Sequence, residues 1–228
     1  MKTSSISLAL AALLCFNAHS ENLSAPTLNS MVPKTHTVVE TIKGDLNKDG
    51  QEDMVFLVKA TDKAMVVPDH DGKRVDRNRR GLIIAFRVGD SYQIALKNLN
   101  CFSSENETGG VYFPPDLSLS IKGGNLLIHY GHGRYGYWAY NFRHQNSEFE
   151  LIGFDRSENH GPVVESFVSI NFLSNKILKK VNTNQEAQGG DERFKESWSK
   201  IKKPKTIKLA AIENFDDLSV EQVLGISN

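Results

Sequence analysis

The chain carries no surplus of charge of either sign, very little cysteine and no catalytic signature. Lys plus Arg and Asp plus Glu both number 27 in 228 residues, so no net field draws nucleic acid or an anionic membrane surface. Only two cysteines occur, Cys15 and Cys101. If Cys15 departs with a leader, no disulfide can form within the remaining chain, and stability must come from packing or a bound ion. A nucleophile elbow, a His-Glu-x-x-His helix, a phosphate loop and a dinucleotide fingerprint are all missing. Cys101-Phe102-Ser103-Ser104 presents a lone thiol, which in such a setting is a small buried hydrophobe more often than a nucleophile.

Residues 1–20 read as a secretory signal peptide: Lys2 at the start, apolar residues from Ile6 to Phe16, and Ala18-His19-Ser20 as a small-residue cleavage site. The apolar stretch is too short to span a bilayer. This predicts an exported protein, periplasmic or extracellular, with no transmembrane span in the mature chain and a start near Glu21. Lipid anchoring at Cys15 is the alternative, and the bulk of Leu14 just before it argues against it. Residues 21–35 read as an N-terminal linker, and residues 36–228 as a single β-rich domain large enough for its own core.

What the sequence does contain is a run of spaced oxygen side chains, Gly44-Asp45-Leu46-Asn47-Lys48-Asp49-Gly50-Gln51-Glu52-Asp53. Hard cations such as Ca2+ take several oxygen ligands from alternate positions of a short loop. The predicted metal ligands are the side chains of Asp45, Asn47, Asp49 and Asp53 and the backbone carbonyl of Gln51. An EF-hand would need a bidentate Glu at the twelfth position, which is Phe56 here, and helices on both sides. The flanks, His36–Ile42 and Met54–Val58, are instead rich in β-branched and aromatic residues, so 36–60 reads as a calcium hairpin.

The loop, ending in Asp53 before an apolar strand, resembles the calcium loop of FG-GAP (integrin-type) repeats. The segment Tyr140–Arg143 through Phe149–Asp155 is similar to part of bacterial secreted proteins of uncharacterised function that carry such a loop. The resemblance implies a propeller-blade-like meander stabilised by calcium, although the chain is too short for a full propeller.

Downstream, strand signals recur at short intervals. Hairpins are predicted at Gly81–Leu96, Leu117–Tyr130, Tyr135–Asp155 and Val163–Val181, with turns at Gly89-Asp90-Ser91, Gly123-Gly124, Gln145-Asn146-Ser147 and Ser174-Asn175. Asp69-His70-Asp71-Gly72 faintly repeats the first aspartate loop and reads as a hairpin or surface loop. Phe194, Trp198 and Ile201 at helical spacing, behind a capping Asp191, predict a short helix over Asp191–Ile201. A last helix is expected at Leu218–Leu224, with Ser219 as cap. The fold class is therefore all-β: an antiparallel meander of hairpins, propeller-blade-like or sandwich-like, with a short C-terminal helical tail packed at a sheet edge.

The stretch His129–Tyr140 is dense in rings. Period-two alternation sends Trp138, Tyr140 and Phe142 to one face, a core face, and Tyr135 and Tyr137 to the other, where they are candidate ligand-binding residues. The favoured function is a calcium-stabilised binding or interaction module whose partner is a protein or a glycan. The alternative is a secreted hydrolase of glycans or peptides, using a cleft lined by Tyr135, Tyr137 and Trp138 with carboxylates from Asp116, Glu148 or Asp155 beside it.

Overall fold

In the computed structural model, residues 28–107 and 116–226 are described; the expected leader at 1–20, with Cys15, lies outside them. A one-turn helix α1 (Leu28–Met31) precedes β1 (His36–Gly44) and β2 (Asp53–Ala60), which are antiparallel across the aspartate loop. A small hairpin, β3 (Val66–Pro68) and β4 (Arg74–Asp76), turns through Asp69–Gly72. Then come β5 (Arg80–Val88), β6 (Ser91–Phe102), β7 (Asp116–Lys122), β8 (Asn125–Gly131), β9 (Gly136–Gln145), β10 (Glu148–His160), β11 (Val163–Asn171), β12 (Lys176–Asn182) and β13 (Phe194–Lys200). The one-turn helix α2 (Val220–Val223) follows, its cap Ser219 accepting the Gln222 N–H.

The strands form a four-stranded sheet, β1-β2-β5-β6, and a seven-stranded meander, β13-β12-β11-β10-β9-β8-β7, antiparallel throughout. The all-β expectation holds, in its sandwich-like form. Turn chemistry explains the sharp reversals. Gly123 and Gly124 both have positive φ, as do Asn146 and Ser147, the backbone that a two-residue type I′ hairpin turn demands.

Alternation then builds the core between the sheets. Leu119, Ile128, Tyr140, Phe154, Ile170 and Ile177 lie in register across the meander and are all buried. Val55, Leu57, Leu82 and Ile84 join them from the small sheet. Rings bridge the sheets: Phe86 meets His144 edge-on at 4.7 Å between centroids, and Phe102 lies 5.8 Å from Tyr130. The small sheet has a second apolar face, Met54, Phe56, Val58, Ile83 and Ala85, against which Met31 packs. The segment read as a linker thus contributes a core residue.

Two expectations for the tail are corrected. Phe194–Lys200 is the edge strand β13, not part of a helix, and Trp198 pairs across from Leu178. A spacing of four residues fits both a helix face and a strand face, since four is a multiple of two. The C-terminal segment does not sit at a sheet edge either. Phe215, fully buried, stacks on Phe102 at 5.0 Å and packs on Tyr140 at 4.9 Å, with Leu209, Ile212 and Val220 buried in the same cluster. The tail plugs the sandwich.

Candidate functional site: the aspartate loop and the aromatic strand

The loop between β1 and β2 winds its polar side chains back onto its own backbone. Asp45 accepts the N–H groups of Asp49 and Gly50, at 3.1 and 3.0 Å. Asn47 Oδ1 accepts the same Asp49 N–H at 3.0 Å, while its Nδ2 donates to Asp49 Oδ2 at 2.9 Å. Two side-chain oxygens that share one amide proton must lie close together, so Asp45, Asn47 and Asp49 face a common interior. Gly50 at φ +84° makes the reversal, and Lys48 at φ 65° takes a second left-handed position. The Asp49 carboxyl is held below its ordinary pKa, chiefly by the Gln51 N–H at 2.8 Å and then by Asn47. It is therefore ionised over the whole physiological range.

Asp53 is placed differently. It is fully buried at the neck of the loop, where Oδ2 accepts the N–H groups of Leu46 (2.7 Å) and Asn47 (3.3 Å) and Oδ1 accepts that of Arg87 (3.0 Å). This carboxylate ties the loop's first residues to the end of β5. Among the described residues, no three His, Cys, Asp or Glu side chains gather closely enough to hold a metal ion by themselves. A cation in this loop would depend on Asn47 and backbone carbonyls as well as Asp45 and Asp49. The loop also touches the other sheet. A Cβ built on Gly124, in the β7–β8 turn, would come within 2.9 Å of Lys48 Cε and 3.1 Å of the Asp45 carbonyl oxygen.

The second aspartate loop is a plain turn. Asp69 Oδ1 accepts the N–H groups of Asp71 and Lys73, and Asp71 pairs with His70 at 3.1 Å in full solvent.

The aromatic strand divides its residues more sharply than alternation implies. Tyr135 stands outside β9, in a 3-10 turn (Gly133–Tyr135), 48% exposed, with the Arg134 guanidinium 5.5 Å from its ring. Gly136, the first residue of β9, turns the chain into the strand at φ +106°, and a Cβ there would collide with the Ser157 carbonyl. Tyr137 is half-buried on the outer face of the meander and stacks on His129 at 5.1 Å. Trp138 turns inward, 4.3 Å from His132 and against the core. The three rings therefore line no common cleft.

Nor do the carboxylates converge. Glu148 pairs with Lys208 at 3.3 Å, at the opposite end of β10 from Tyr137's partner Ser157. Asp116 and Asp155 share the outer face, but β8 and β9 run between their strands. Three strand spacings of ~4.8 Å put them on the order of 14 Å apart, beyond the ~5–9.5 Å that a glycosidase carboxylate pair spans. Cys101 is equally unsuited to chemistry, since burial pushes its thiol up to about 12.

The sequence reading missed one buried ion pair. Arg156 on β10 meets the buried Glu221 of α2 at 2.9 Å and Glu158 at 2.6 Å, pinning the tail helix to the meander. No local motif marks a pair separated by so much chain. No helix among the described residues is long and apolar enough to cross a membrane. Comparison with family models, with curated proteins and with solved structures found no match.

Proposed function

We propose that this chain is an exported, calcium-stabilised β-domain that works as a binding or interaction module. The observation that carries the reading is the Asp45–Gly50 turn, whose three polar side chains face one interior with Asp49 held ionised. It links two antiparallel strands, and its residues resemble the calcium loop of FG-GAP repeats. Asp45, Asn47 and Asp49 would hold the ion through side-chain oxygens and Gln51 through its carbonyl, with Asp53 bracing the neck. Calcium supplies a charge that draws these oxygens together. Because the loop leans on the Gly123-Gly124 turn of the other sheet, ordering it also fixes how the two sheets meet.

The test is thermal unfolding with calcium and with chelator, joined to calorimetry. An ion that binds only the folded loop stabilises by ~2.7 kcal/mol at a hundredfold excess over its dissociation constant. Asp49→Ala should abolish the shift. Superimposed melts with no heat of binding would reject calcium. Export is tested by mass spectrometry of the protein from intact cells: a start near Glu21 supports it, a lipid on Cys15 replaces the cleavage site, and an uncleaved cytoplasmic product overturns it.

A further inference from the structure

The outer face of the meander holds a groove of about 360 Å³ across β8, β9, β10 and β11. Its floor is made of small residues. Ala139, Asp155 and Ser169 lie in register on neighbouring strands, with Asn141, Gly153 and Asn171 in the next row. A β-bulge between Leu151 and Gly153 shifts the pairing there, and Gly153 leaves the middle of the floor without a side chain. Asn125 and Arg143 close one end, where Arg143 Nε donates to Asn125 Oδ1 at 3.3 Å. Two residues along β9 from Ala139, on the same face, stands Tyr137, whose phenol is raised by burial and then by the charge of Asp155.

The fold uses some of the groove's polar side chains, as where Asn171 Oδ1 accepts the Ser174 N–H at 2.9 Å, and leaves two unspent. The Asn141 side chain has no hydrogen-bond partner among the described residues, and its Oδ1 is buried. The Asp155 carboxylate has neither a hydrogen-bond nor an ion-pair partner among the described residues, although the residue is half-buried. Polar groups shielded from water without partners are costly, and a native protein that keeps them calls for a reason.

We infer that this groove binds a neutral saccharide. The inference rests on the binding-module reading and names its ligand class. Four considerations select a sugar. The groove carries one carboxylate and one guanidinium, so its formal charge cancels and a charged ligand gains nothing overall. Its amides, hydroxyl and carboxylate suit a ligand whose hydroxyls both donate and accept. It lies over a sheet face, where strand N–H and C=O groups are already paired, so an extended peptide has no edge to add to. Ala139, Gly153 and Ser169 keep the middle of the floor small, Leu127, Ile152 and Leu173 give it apolar surface suited to sugar C–H groups, and Tyr137, stacked on His129, stands two residues beyond the Ala139 end.

The experiment is calorimetric titration of the full chain with three uncharged probes, maltotriose, cellotriose and triacetylchitotriose, and with trilysine and triglutamate as charged ones. At least one neutral trisaccharide should bind and neither charged peptide should. Gly153→Val should weaken that binding at least tenfold: its Cβ meets nothing closer than 3.4 Å, so the new side chain fills the floor rather than straining the backbone. Asp155→Asn, of the same shape, should weaken it severalfold and serves as the deciding variant if Gly153→Val lowers the melting temperature. Trp198→Ala, on the edge strand away from the groove, should leave affinity unchanged. Failure of all three sugars, affinity indifferent to both groove variants, or binding of a peptide in their place would overturn the inference. Titrations run with calcium and with chelator separate the two proposals: a calcium-shifted melt without sugar binding rejects only the saccharide, and sugar binding with superimposed melts rejects only the ion.

Discussion

Behind the four-stranded sheet, the face turned from the shared core carries Met54, Phe56, Val58, Ile83 and Ala85, and the N-terminal segment covers it with Met31. Behind the seven-stranded sheet, the corresponding face carries Ala139, Asn141, Gly153, Asp155 and Ser169, and it stays open as a groove. The difference is written into the strands. β2 is buried on both sides from Asp53 to Val58, and β5 from Arg80 to Ala85, so the small sheet must be covered twice. β9 and β10 alternate, burying one side and leaving polar side chains on the other. A covered face contributes stability, whereas an open polar one is free to serve recognition.

The largest expected effect breaks the covered face. Phe56→Ala should cost ~3–5 kcal/mol through lost burial and a residual cavity, whereas Ser169→Ala on the open face should stay within ~0.5 kcal/mol. Denaturant midpoints at unchanged m-value give both numbers, and equal costs would dissolve the comparison. Next in size is the calcium shift of ~2.7 kcal/mol at a hundredfold excess. It should survive Ser169→Ala intact, since the groove and the loop occupy different sheets.

A smaller, pH-dependent effect tests the core between the sheets. Burial raises the Asp216 carboxyl above its ordinary value, against the opposing pull of Ser103 and Arg79. A raised acid holds its proton more tightly folded than unfolded. Its contribution is therefore fully present below the unfolded value and lost as pH rises through the folded one. Asp216→Asn should flatten the fall in stability across the mildly acidic range, as read by melts at stepped pH. Identical slopes would mean that the charge of Asp216 is compensated in the fold.

The smallest effect belongs to Trp198, 65% exposed on the same outer face. Trp198→Ala should move stability by no more than ~0.5 kcal/mol. A loss several times larger would show that β13 is covered in solution.

The hairpins were legible because each rests on local physics. Leu117-Ser118-Leu119-Ser120-Ile121 alternates, Gly123-Gly124 admits the left-handed turn, and the strands pair as that pattern requires. The aspartate loop was legible for the same reason: its hydrogen bonds, Asp53 to Arg87 and Tyr92 to Glu52 aside, stay within nine residues. Asp53 itself was half legible, since its place at the neck follows from spacing but its hold on the Arg87 N–H needs β5 beside β2.

What the chain determined alone was thus the period of the hairpin strands, the left-handed turn at Gly123-Gly124 and the oxygen spacing of one loop. Only the tertiary structure decided which faces meet. Phe215 reads as one apolar residue among several in the tail until Phe102, Tyr130 and Tyr140 surround it. Phe194, Trp198 and Ile201 suit a helix until β12 offers an unpaired edge, whose hydrogen bonds outweigh a weak helical preference. The groove needs three strands side by side before Ala139, Gly153 and Ser169 become one floor. Strand pairing and burial join residues far apart in the chain, and no local pattern records which distant partner will be there.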